Sequence, residues 1–152
     1  MTNFVSTNVL NTKSKRNLNQ TLLMNKKILV TGAIVGIIGI VLGAFAAHGL
    51  EKLVDAEAIK SFETGVRYQI YHAFLLLILG GTSFISEKRK KLMFYLILIG
   101  LIFFSGSIYG LATNDLSSFD FKSIAMITPV GGLLLILAWV VMLIDLLKSK
   151  VD

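Results

Sequence analysis

Four long stretches of this chain carry no charged side chain: residues 28–47, 70–86, 92–112 and 123–144. A bilayer core of about 30 Å needs roughly 20 apolar residues in helical form to cross it. Backbone groups in lipid must find their partners within the segment, so each stretch is predicted to be a helix. These runs are apolar all round, without the polar face that a soluble bundle needs at helical period. The predicted fold is therefore all-α: a polytopic membrane protein whose four transmembrane helices, at about 28–47, 70–86, 92–112 and 124–147, form a four-helix bundle within residues 24–152. Residues 1–23 are polar, rich in Asn and Thr and without sustained period, which predicts a disordered extension. A start at Met24, where Met-Asn-Lys-Lys precedes an apolar run, would leave that stretch outside the functional unit.

A short amphipathic helix is expected at the membrane surface in the first loop, over residues 50–68. Asp55 suits an N-cap, with Glu57 in the first turn. Ile59, Phe62 and Val66 then share one face while Lys60, Glu63 and Arg67 fall elsewhere, and Gly65 is placed to hinge the helix into the second span.

Charge sets the orientation. The N-terminal tail holds Lys13, Lys15, Arg16, Lys26 and Lys27 without an acid. The loop between spans two and three reads Glu87-Lys88-Arg89-Lys90-Lys91, and the C-terminal tail adds Lys148 and Lys150. The other two loops balance their few cations with acids. The positive-inside rule puts both termini in the cytoplasm. The net charge of +6 thus reads as topology and headgroup contact, with the bilayer as partner and no role for nucleic acid. Asp145 lies near the inner boundary, where snorkelling or a pair with Lys148 accounts for it. There are no cysteines, which excludes disulfides, thiolate metal sites and cysteine nucleophiles.

Gly32, Gly36, Gly39 and Gly43 recur on one face of span one, and Gly106 and Gly110 offer a similar thin surface in span three. Small-residue stripes of this kind bring helix backbones together, in the same chain or in a second copy.

Polar residues in the spans cluster by depth. His48 ends span one; Tyr68, Gln69, Tyr71 and His72 open span two; Ser105, Ser107 and Tyr109 lie in the outer third of span three; Thr128 precedes Pro129 at the start of span four. Counted from the span ends they reach about 10 Å below the outer interface. They predict a polar pocket open to the outside and closed toward the cytoplasm. Tyrosines, and Trp139, also gather at membrane interfaces for physical reasons alone. His48 and His72 are candidate ligands for haem or a metal through neutral imidazole, although two histidines without a carboxylate or thiolate nearby make a poor metal site. No phosphate-binding loop, zinc motif or hydrolase triad is present, and the spans show no acid or base at the midplane of the kind that ion-driven transport uses. A binding protein is the first expectation, for a lipid, a small solute or a partner helix. An oligomeric transporter assembled through the glycine stripe and a haem-binding redox unit are alternatives, and composition names no cofactor.

Four ordered blocks carry a resemblance: Gly43-Ala44-Phe45-Ala46-Ala47-His48-Gly49-Leu50, Tyr68-Gln69-Ile70-Tyr71-His72-Ala73, Phe104-Ser105-Gly106-Ser107-Ile108-Tyr109 and Thr128-Pro129-Val130-Gly131-Gly132. Together they resemble the small membrane-protein family known as domain of unknown function 423, with Ala47 standing where the family pattern has a second glycine. The resemblance runs from about Met24 to the C-terminus. It implies a bacterial plasma-membrane protein and brings no activity with it.

Overall fold

The computed structural model describes the backbone of residues 2–148 and the side chains of residues 14–148. Met1, Lys150 of the C-terminal basic set and the Lys13 side chain lie outside the described part. Among the described residues every regular element is helical. Helix α1 covers Thr2–His48, α2 Ala56–Gly81, α3 Glu87–Leu101, α4 Ser107–Ala112 and α5 Ile127–Lys148. A π-helical turn over Ile102–Gly106 joins α3 to α4, making one rod. Among the described residues, three helical stretches are long and apolar enough to cross a membrane: Ser14–Lys52, Glu87–Ala112 and Ile127–Lys148.

Two expectations meet differences here. The stretch expected to be disordered continues α1 from Thr2; no proline and no glycine precede Gly32 to interrupt it. The expected surface helix is the first half of α2, which runs unbroken into the stretch expected as span two. The Asp55 cap does form, accepting from the Ala58 N–H at 2.8 Å. Gly65 is no hinge: a β-carbon there would meet the Tyr109 ring at 2.7 Å, so it is a crossing point against α4. The apolar face of this segment is turned into the protein, where Phe62 packs with Ala46, Leu50 and Ala112.

The glycine stripe of α1 is spent within the chain. Gly32 faces Leu76, Gly36 faces Ala73, Gly39 faces Ile70 and Gly43 faces Val66, an antiparallel register against α2. Gly80 continues it in reverse, facing Leu29. Of the two further glycines, Gly110 receives the ring of Phe121 from the following loop, and Gly106 has nothing within 4 Å. Gly106 is thus no packing glycine in this chain.

The core lies in two parts. The larger cluster is built from Ile28, Leu76, Leu79, Met93, Phe94, Ile97 and Leu135 among others. The smaller outer core surrounds Phe62, and the polar side chains sit between the two. At the inner end Asp145 joins α5 to α3, by an ion pair to Arg89 at 2.8 Å and by accepting the Ser86 N–H at 2.7 Å. Arg89 therefore replaces the expected partner Lys148, because α5 runs alongside the start of α3. Lys90 is fully buried and donates to Asn25 Oδ1 at 3.0 Å while pairing with Glu87.

Candidate binding site

The polar residues singled out by depth divide into three groups. Gln69, Tyr109 and Ser105 form the first. Gln69 is buried; its Nε2 donates to the Val35 carbonyl of α1 and its Oε1 accepts from the Tyr109 hydroxyl of α4, each at 2.8 Å. One amide side chain thereby ties three helices together. Ser105 donates to the Gly65 carbonyl at 2.9 Å. Above them lies a groove of about 290 Å³ between α1 and the π-turned rod, walled mainly by Val35, Ile38, Leu42, Leu98 and Ile102, with Gly106 at its rim. Ile38 and Ile102, on its two lips, are exposed. Of the residues expected to form a polar pocket, Gln69, Ser105 and Tyr109 line this groove.

Ser107 and Thr128 form the second group, which is a structural pin. A π turn leaves backbone carbonyls without their usual helical partners, and the Ser107 hydroxyl donates back to the carbonyls of Phe103 and Phe104. Thr128, in the first turn of α5, joins the Ser107 hydroxyl at 2.7 Å. Gly131 is one turn further along, and a β-carbon there would run into the backbone of Phe103 and Phe104. The Thr-Pro-Val-Gly-Gly block is in this way fitted to the π turn. The turn itself had no signal in the hydrophobic pattern, since it shifts the register by one residue inside a stretch that is apolar on every side.

His72 anchors the third group. It is 3 % exposed, and its Nδ1 donates to the Tyr68 carbonyl at 2.8 Å. A carbonyl only accepts, so the proton sits on Nδ1 and Nε2 is left as an acceptor. Nε2 is buried without a partner. The ring stacks on Tyr68 and meets the edge of Trp139, both with centroids at 6.4 Å. The α1–α2 register places His72 level with Ile37, the middle of the 28–47 run. A second span beginning at residue 70 places His72 near its start, whereas α2 itself begins at Ala56. An imidazole is therefore buried level with the middle of that apolar run of α1. Trp139, expected as an interface residue, accompanies it there.

The remaining two candidates stand apart. Tyr71 is 55 % exposed on α2. His48 is exposed at the end of α1, eleven residues beyond the level of His72, roughly 16 Å along the helix. The two histidines are not brought together as ligands of one haem or metal. Among the described residues no group of three or more His, Asp or Glu side chains is placed to hold a metal ion.

An apolar helical array with three stretches long and apolar enough to cross a membrane defines a small integral membrane protein. The chain belongs to the family described as "Protein of unknown function (DUF423)", whose model matches residues 42–132. It is 35 % identical to a UPF0382 membrane protein of Haemophilus influenzae over 128 residues, covering 84 % of this chain and 98 % of the relative. It is 31 % identical to the UPF0382 membrane protein YwdK of Bacillus subtilis, covering 81 % and 98 %. With the UPF0382 inner membrane protein YgdD of Escherichia coli it shares 34 % identity, covering 80 % and 90 %. No solved structure matches the chain.

Proposed function

We propose that the chain is a four-span protein of the bacterial plasma membrane, with both termini in the cytoplasm, that binds the acyl chain of a lipid in the groove between α1 and the π-turned rod. The observation that carries this reading is the groove itself: apolar walls, exposed isoleucine lips and the Gln69–Tyr109 pair at its floor. In a bilayer its open side meets lipid, the one apolar ligand always present at high concentration. Gln69 keeps a second amide N–H and Tyr109 keeps hydroxyl lone pairs, enough to hold a polar atom near the glycerol end of the chain.

The fourth span in this proposal is α2. It falls short of a span by composition because Arg67, Gln69 and His72 lie in it. Its register beside the 28–47 run of α1 supports a crossing at the same height. The basic segments then share one side, as the positive-inside rule requires. Residues 24–152 are the functional unit and 1–23 an extension, in keeping with relatives that align over 123 to 128 residues. A binding role fits better than an enzymatic one, since the polar groups at the groove already satisfy one another. An oligomeric transporter joined through the α1 glycine stripe finds that stripe already covered by α2.

The test is photolabelling in nanodiscs with a phosphatidylglycerol that carries a diazirine in its acyl chain. Labelling is expected on the α1 peptide that contains Val35 and Leu42. Gly106→Leu adds bulk to the groove lining at a position where a β-carbon meets nothing within 4 Å, and it should reduce this labelling to background. Gly81→Leu, equally unobstructed but at the inner end of α2, should leave it unchanged. Undiminished labelling in Gly106→Leu overturns the proposal.

A further inference from the structure

On the side of α2 turned toward α5 lies a second group of polar atoms, separate from the groove. Tyr68, Tyr71 and Trp139 are 39 %, 55 % and 50 % exposed; the first and the last meet the ring of the buried His72, and Tyr71 packs on Tyr68. Tyr68 also packs on Phe104, with ring centroids at 4.7 Å. Among the described residues, no hydrogen bond is made by the hydroxyls of Tyr68 and Tyr71, the indole N–H of Trp139 or Nε2 of His72. These residues lie from the middle of the apolar zone outward, since Tyr68 sits one turn above His72. Lipid tails supply no partner there, and an unsatisfied polar group in hydrocarbon is costly. Three unpaired donors and one unpaired acceptor thus lie along one half-exposed aromatic wall.

We infer that this face binds the hydroxyl group of a membrane-soluble alcohol or phenol, its O–H donating to His72 Nε2. A hydroxyl is both donor and acceptor, so the same oxygen can accept from Trp139 or a tyrosine while the apolar body lies along Tyr68 and Phe104. The Nδ1 bond to the Tyr68 carbonyl fixes the tautomer that makes Nε2 receptive. Trp139, half exposed and edge-on to the imidazole, is the cover that must swing aside. An internal water is the competing source of the same O–H donor, and the test separates the two.

The probe is hexadecanol with a diazirine in its chain, compared with its methyl ether, on the full-length protein in nanodiscs. The alcohol should label peptides containing Tyr68 to His72 or Trp139, and the ether about tenfold less, the factor for one hydrogen bond of 1.4 kcal/mol. His72→Asn keeps a donor near the Nδ1 position, deletes Nε2 and should lower alcohol labelling to the ether level. A second measurement needs no variant: in ¹⁵N-histidine spectra the His72 Nε2 signal should move upfield on addition of hexadecanol and stay put with the ether. Equal labelling by both probes overturns the inference. So does an Nε2 already hydrogen-bonded to water and indifferent to the alcohol. The groove reading stands or falls separately, because Gly106→Leu should not alter hexadecanol labelling here.

Discussion

Gly131 has the least room of the glycines, because the atoms against it are backbone of the π turn and not the movable end of a side chain. Gly131→Ala should therefore destabilise the protein by about 1–3 kcal/mol, the usual range for overpacking. Gly36→Ala, whose new methyl would meet Ala73 at an ordinary 3.7 Å, and Gly106→Ala, which meets nothing, should stay close to wild type. Unfolding in mixed detergent micelles, followed by circular dichroism, would check the order of the three. Gln69 offers a second test at the same scale. Tyr109→Phe leaves its buried Oε1 without a donor and should cost about 1–3 kcal/mol. Gln69→Leu combined with Tyr109→Phe removes the orphan with its partner, so the double variant should lose less than the sum of the singles.

Helix ends and crossings carry the links that the residue pattern left unread. Asp145 holds the start of α3 through the Ser86 N–H and Arg89 together. Asp145→Ala should loosen the inner end of α3 against α5, by about 1–3 kcal/mol, with faster amide exchange confined to residues near 86–90. Asp145→Asn, which can still accept from Ser86, should do markedly less. The sequence contains Asp145 and Arg89 in plain view, but 56 residues separate them and no spacing rule joins such a pair. Lys90 is the sharper case: within a run of four cations it reads as solvated, yet it is buried against Asn25. The glycine stripe was legible because period and residue size suffice to mark a close crossing. Its partner α2 was not, since nothing in α1 tells one helix from another. The depth of His72 is hard to read from the sequence for a related reason. Where a helix begins in lipid depends on the neighbour it lies against, and only the α1–α2 register fixes that.

At the scale of the whole molecule the decisive quantity is the number of crossings. The three most apolar helices alone would place residues 52 and 88 on the same side of the membrane, whereas a crossing by α2 puts them on opposite sides. The absence of cysteine from the chain makes the experiment clean, because each introduced thiol is the sole target. In spheroplasts, Lys52→Cys and Ser117→Cys should react with a membrane-impermeant maleimide before lysis, and Lys88→Cys only after it. Labelling of Lys88→Cys in intact cells would reduce α2 to an element packed within a three-span protein. His72 would then no longer stand at mid-membrane, and the O–H site proposed beside it would lose the dry surroundings that make its unpaired nitrogen informative. Protection of Lys88→Cys would instead leave an imidazole at the centre of the bilayer, in the helix that carries most of the polar side chains. That arrangement would account for the two buried polar side chains of α2: Gln69 is satisfied by α1 and α4, and His72 lies against Tyr68 and Trp139.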